Sequence, residues 1–310
     1  MPVLTKPKIR NRIKMDAASR AYTIIIYTIV AIVTLVLTYP LYFCIVASFS
    51  DADAVAMGDT FLWFKGFTTD AYKAILKEDL LISGYINSFL YMIFGTAYNL
   101  VLTIPAGYVC SKSRLPGHKF ILWFFFITMY VGGGTIPTYI WTDKLGLVGN
   151  PLVMIIGAGV SVYYMLVVRQ YFNSSIPSTL YEAAELDGAG DFRQFLSIAL
   201  PLSKPIILVI MLYYAFGKWN SYYSALLYLR DQSMWPLQLV LRQLLIVSEN
   251  SIGELADLPS TDAAYLIKKM YMVRAMKYAV ILIASLPMLI LYPFVSKYFT
   301  KGVMIGSVKG

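Results

Sequence analysis

The chain has 310 residues, 58% of them hydrophobic and only 14% charged, with a formal net charge of +9. Soluble domains carry about a quarter charged residues, so the composition excludes one and indicates an integral membrane protein. Cys44 and Cys110 lie in apolar segments and His118 in a short basic loop; neither a disulfide framework nor a zinc site is expected, and the lone histidine is read as solvated.

Crossing roughly 30 Å of hydrocarbon takes about 20 mainly apolar residues, and runs of this length satisfy their backbone groups as helices. The expected fold is all-α and membrane-integral, with six spans at about 22–48, 84–110, 120–141, 150–171, 205–229 and 278–297. They form one permeating domain over 22–300, between a basic segment at 1–21 and a short tail at 301–310. The first apolar run outlasts the 7–15 residues of a signal peptide and is read as a retained span. A long connection, 49–83, follows it. The second span carries Asn87, Asn99 and Thr103. Gly132, Gly133 and Gly134 with Pro137 interrupt the third near its end, which is read as a bent helix end rather than a gate.

Between the fourth and fifth spans lies the loop 172–204, most of it in the stretch "PSTLYEAAELDGAGDFRQFLSIALPLSKP" that runs from 177 to 205. Thr179 with Glu182 reads as a capping box, Gly188 as the stop of that helix, and Asp191 with Gln194 as the start of a second. Phe192, Phe195, Leu196, Ala199 and Leu200 form one apolar stripe at helical spacing. Pro201 ends the second helix, and Pro205 suits the first turn of the next span. Ala183 and Ala184 give the first helix a small face, while Glu182, Glu185, Asp187 and Asp191 form an acidic rim. Two readings stand for this element: a docking surface, or a helix pair lying on the inner leaflet. The rim disfavours the second, since anionic lipids attract basic helices.

Lys218, Trp219 and Asn220 fall in the outer half of the fifth span. A charge there costs roughly 2.5–3.5 kcal/mol on insertion scales, so Lys218 should face protein or water. Trp offers a flat face to a sugar ring, and Asn and Lys offer hydrogen bonds to hydroxyls. Equally open is a Lys218 paired within the bundle and a Trp219 used in packing. Asn87 and Asn99 are further candidates for a solute path. The connection 230–277 shows apolar spacing at Leu237, Val240, Leu241, Leu244 and Leu245, an amphipathic helix set either against membrane or a partner, or simply on neighbouring spans.

With the N-terminus inside, the four inner segments hold 15 basic and 5 acidic residues, against 11 and 12 elsewhere. The positive-inside rule puts both termini in the cytoplasm, makes 172–204 cytoplasmic and 230–277 extracellular, and accounts for the charge without nucleic acid. Every acidic residue lies outside the six spans, which disfavours an ion-coupled carrier. No GxxxxGK[ST] loop occurs, so ATP cannot be bound by that device.

The stretch "EAAELDGAGDFRQFLSIALPLSKP" resembles the EAA loop of permease subunits of bacterial ATP-binding-cassette importers, matching at Glu182, Ala183, Ala184, Gly188, Ile198 and Pro201. "GGGTIPTYIWTDKLGLVGN", "GKWNSYYSALLYL", "WPLQLVLRQ" and "SLPMLILYPFVSKYFTKGVMIGSVKG" resemble the MalG-type carbohydrate branch, in particular LplC- and YtcP-like oligosaccharide permeases. The resemblance implies a type I importer fold in a bacterial cell membrane and a non-catalytic subunit with no cofactor of its own. It further implies a coupling helix seated in a separate ATPase dimer that binds ATP and Mg, a second homologous permease, lipid contact, and an extracellular solute-binding protein. On that reading Glu182, Ala183, Ala184, Asp187, Gly188, Phe192, Phe195 and Pro201 carry coupling. A peptide or other polar solute, or an ATP-independent carrier, is the alternative.

Overall fold

The computed structural model describes residues 16–254 and 260–306, and every regular element among them is helical. The basic run 6–14, part of the second long connection (255–259) and the end of the tail (307–310) lie outside the described residues, and with them six of the 15 inner basic residues.

Three helices are long and apolar enough to cross a bilayer: α1 (Ala17–Ser48), α4 (Asp79–Ser111) and the Met270–Pro293 part of the last helix. Between α1 and α4, the short α2 (Ala52–Ala56) and α3 (Asp70–Ile75) fold back on the bundle. The Tyr72 hydroxyl lies 2.9 Å from Ser48 Oγ, tying α3 to the end of α1.

The other three expected spans are not single rods. The third is α5 (His118–Tyr130) and α6 (Thr135–Lys144), bent by 112° at 131–134. The fourth is split into α7 (Leu152–Ile156) and α8 (Val162–Ser175) by five non-helical residues. The fifth is α11 (Lys204–Trp219), and after a break at 220–221 the chain resumes as α12 (Tyr222–Tyr228). Between α8 and α11 lie α9 (Ser178–Leu186) and α10 (Asp191–Leu202), and α10 meets α11 at 79°. Of the two fates open to the 237–245 stripe, the structure takes packing on neighbouring spans. That segment is α13 (Leu237–Glu254), with Leu237, Leu239 and Val240 buried. Finally, α14 (Ser260–Gly306) is 47 residues long, about 70 Å at 1.5 Å per residue. It therefore outruns the expected sixth span on both sides.

The packed centre is α4, held between α8 and α11. One cluster, around the first half of α4, joins its Leu81 and Met92 to Trp219 of α11, Leu237 and Val240 of α13, and Ala279 and Val280 of α14. Another, around the last part of α4, joins its Ile104 and Tyr108 to Val168 and Phe172 of α8, Ala199 of α10, and Ile210 and Tyr214 of α11. Lipid tails are as apolar as these side chains, so within a bilayer the association rests on close packing and interhelical hydrogen bonds rather than on escape from water. By contrast, α5 and α6 bury no residue within this chain, and most apolar side chains of α1 are exposed.

Candidate coupling surface and polar interior

Helix α9 begins at Ser178 with Pro177 as its N-cap residue and no side-chain cap. Thr179 is therefore inside the first turn, and the expected capping box does not form. Pro177 takes an extended backbone (φ −60°, ψ 135°) and its carbonyl receives the Leu180 N–H, 3.2 Å. The end of α9 is as expected. Gly188 has φ +76°, a left-handed conformation that costs an L side chain roughly 1–2 kcal/mol. The Ala189 N–H reaches back to the Ala184 carbonyl at 2.8 Å, and the Asp187 and Gly188 N–H groups reach Ala183 and Glu185, which closes the helix in the Schellman manner.

Helix α10 also lacks a side-chain N-cap; its cap residue is Gly190. Gln194 does bond back, but its Nε2 donates to the Ala189 carbonyl, 2.9 Å. Pro201 does not end this helix. Residues 195–199 widen to π geometry and the helix runs on to Leu202. Proline has no N–H to give the carbonyl four residues back and crowds it; a π-turn just before it relieves both. The break comes at Ser203, and Pro205 then sits in the first turn of α11 as expected.

The expected stripe divides between two faces. Phe195 and Ala199 turn inward, Phe195 onto the Tyr108 ring at 4.9 Å. Phe192 (75% exposed) and Leu196 turn outward, as does Leu186 on α9 at 91% exposed. Glu182, Ala183, Asp187 and Pro201 are exposed as well, and Ala184 is half-buried. The outward side of the loop is thus apolar residues set in an acidic surround.

What fixes this loop was not legible in it, because the fixing residues come from the 111–119 loop. Lys112 Nζ lies 3.6 Å from the centre of the Tyr181 ring, 4.8 Å from that of Tyr108, and 3.5 Å from Gln194 Oε1. Burial pushes the Lys112 ammonium below the ordinary lysine range, and nearby Asp191 opposes that shift. Arg114 binds both carboxylate oxygens of Glu185 at 3.0 and 2.8 Å. The Cys110 carbonyl, at the end of α4, receives Arg169 Nε and faces His118 Nε2, each at 2.9 Å. His118, read as solvated, is a hydrogen-bonded helix cap. Through these contacts α9 and α10 are braced on the C-terminal end of α4 as well as joined to α11.

The polar residues of the spans converge on the split in the fourth. Lys218 Nζ donates to the carbonyls of Met154 (2.8 Å) and Ile155 (2.9 Å), the last turn of α7. Its side chain crosses α4 at Gly95, where an added Cβ would lie 2.7 Å from Lys218 Cε. Asn99 is fully buried and its Nδ2 engages the carbonyls of Ala158 and Gly159. The Tyr214 hydroxyl accepts the Ser161 N–H (3.0 Å) and lies 2.7 Å from Thr103 Oγ1. Trp219 is 2% exposed, donates to the Ala284 carbonyl at 3.1 Å, and has Tyr85 and Phe89 edge-on to it. Asn87 donates to the carbonyls of Ser233 (2.8 Å) and Trp235 (3.1 Å), pinning the start of the second long connection. Asn220 is exposed at the end of α11 and bonds its own helix at Phe216. In this conformation Lys218, Trp219, Asn87 and Asn99 are engaged by the rest of the bundle, and Asn220 is the exposed one of the five.

The sequence pattern of the family described as "binding-protein-dependent transport system inner membrane component" matches residues 80–305. The chain is 33% identical to the polygalacturonan/rhamnogalacturonan transport system permease protein YtcP of Bacillus subtilis over 292 residues, 94% of this chain and 99% of that protein. It is 36% identical to protein LplC of the same organism over 271 residues, 87% and 89% of the two chains. Among solved structures, a chain of a bacterial ABC transporter involved in the import of the acidic polysaccharide alginate superposes with a TM-score of 0.82 at 29% identity, covering 92% of this chain and 99% of that one.

Proposed function

This chain belongs to the family of binding-protein-dependent transport system inner membrane components, and from that membership we propose that it is the permease subunit of an ATP-driven importer that moves an oligosaccharide or complex glycan fragment inward by alternating access. The chain is not the ATPase; its family is that of the inner membrane component, and its relative YtcP is named a permease protein. In the proposed assembly it crosses the membrane six times, with bent or broken third, fourth and fifth spans and both termini in the cytoplasm. It pairs with a second permease amid lipid, receives solute from an extracellular binding protein, and seats the 172–204 loop in an ATPase dimer that holds ATP and Mg.

One observation carries the coupling part of this reading: Leu186 and Phe192 stand out into solvent from a loop braced at three places. Large apolar side chains held rigidly outside a membrane protein's core mark a contact surface. The ATPase dimer closes on ATP, the loop moves as one body with the inner ends of α4 and α11, and the two permeases rock about the solute. Rigid-body rocking of this kind is familiar from secondary transporters and is extended here by analogy. The names of the relative and of the structural neighbour support a carbohydrate cargo. Vesicles containing the purified complex should accumulate oligosaccharides from a glycan panel only with ATP; uptake of peptides alone, or uptake without ATP, would overturn the assignment.

Gly188→Pro tests the rigidity of the loop. Proline holds φ near −65° and cannot take the +76° found here. The variant should insert and assemble normally, while ATP-driven uptake drops at least tenfold and hydrolysis continues. Normal uptake would remove the Gly188 turn from the coupling route.

A further inference from the structure

We propose that the split in the fourth span, residues 157–161, is a polar step on the solute's route, where backbone groups without a partner among the described residues meet the hydroxyls of a hydroxyl-rich solute. Lys218 and Asn99 act as positioning residues. The proposal rests on the permease reading above and adds a location to it.

The split separates α7 from α8, beside Asn99, which lies just past the midpoint of the 33-residue α4. Three of its five carbonyls are taken, that of Ser161 by the Met165 N–H, and so are two at the end of α7. Those of Met154 and Ile155 bind Lys218, and those of Ala158 and Gly159 bind Asn99. The Ser161 N–H is taken by Tyr214. The N–H groups of Ala158, Gly159 and Val160 have no partner among the described residues. Gly157, Ala158 and Val160 are exposed, and Tyr163 beside them is 60% exposed. Asn99 also keeps its buried Oδ1 without a partner at the same place.

Irregular backbone at membrane depth is tolerated only where it is buried in protein or lines water, not against lipid. The flank of a neighbouring helix is a poor match for three adjacent donors, because its carbonyls are already bonded within that helix. Water and sugar oxygens are free to accept. Lys218 and Asn99 hold four carbonyls at and beside the split, and three of its N–H groups stay without a partner among the described residues. Unpartnered backbone groups of this kind favour hydroxylated cargo over apolar cargo. Tyr163, and Tyr213 stacked on Tyr164, put exposed aromatic surface next to these donors, as a passing sugar ring would use.

The test is thiol accessibility in the full reconstituted importer, starting from a Cys44→Ala, Cys110→Ala background. Cysteine is placed at Ala158 or Val160, with Val101→Cys as a control on the exposed side of α4. A membrane-impermeant methanethiosulfonate should label 158 and 160 at least tenfold faster than 101, and solute-loaded binding protein with ATP should slow that labelling. In the Ala158→Cys importer, adding Lys218→Met should abolish the solute protection. Equal labelling at 158, 160 and 101, or shielding of 158 and 160 by the second permease in every state, would overturn the proposal. Protection that survives Lys218→Met would make Lys218 merely structural. Uptake by the cysteine-free background is read separately, so the permease assignment stands or falls independently.

Discussion

Leu186→Asp in the assembled importer will release the ATPase dimer while leaving the permease pair inserted and folded. Leu186 is 91% exposed and touches no core, so the substitution removes nothing that holds this chain together. Burying a leucine side chain is worth about 1.5–3 kcal/mol, or roughly 10- to 150-fold in affinity if a partner covers it fully. Aspartate loses that gain and places an unpaired carboxylate in the contact, which costs more again. Leu186→Ala should thus weaken docking by about tenfold or more, and Leu186→Asp should abolish co-purification. The same ordering is expected at Phe192. Glu182→Gln is the contrast: it changes charge at an exposed position, where a single ion pair contributes little. Titrating purified ATPase onto the solubilised permease pair reads all of these variants. Docking unchanged in Leu186→Asp would show that this face does not meet the ATPase.

The contrast between what sequence carried and what it did not follows from the range of the interactions. The stop at Gly188 was legible because one residue's own backbone decides it. The 177–205 loop stood out because charges, prolines and glycines between apolar runs have few other uses. The brace beneath it was hidden. Lys112 and Arg114 read as ordinary positive-inside charges, and only the fold brings them to Tyr181 and Glu185, about 70 residues along the chain. The split fourth span was hidden for a different reason. "IIGAGVSV" is apolar enough to count as span, and hydropathy does not register whether backbone groups are bonded within the helix. The polar signal for the split sat in two other spans, at Asn99 and Lys218, where it was read as a feature of those spans alone. The apolar stripe of α10 was sound as a pattern, but a pattern does not say which members turn inward; the π-turn before Pro201 and the ring of Tyr108 decide that.

Lys218→Met will destabilise the bundle and stop transport, and a bulky residue at Gly95 will do the same by another path. Methionine keeps most of the length of the side chain and loses the donor, so the Met154 and Ile155 carbonyls at the end of α7 are left bare. Each buried group left without a partner costs about 1–3 kcal/mol, which gives roughly 2–6 kcal/mol for the pair. At Gly95, a Cβ would lie 2.7 Å from Cε and 3.2 Å from Nζ of Lys218. A free lysine would move aside cheaply. This one is bound at its tip to two carbonyls, so moving aside breaks the bonds that Lys218→Met also removes. Gly95→Val should therefore reproduce Lys218→Met, and the double variant should be little worse than either alone, since residues sharing one interaction do not add. Thermal unfolding of the purified complex and uptake per assembled complex measure the two effects. If Lys218 served the solute directly and not the α7 carbonyls, Gly95→Val would add to Lys218→Met in full, and the lysine variant would lower uptake without lowering the unfolding temperature.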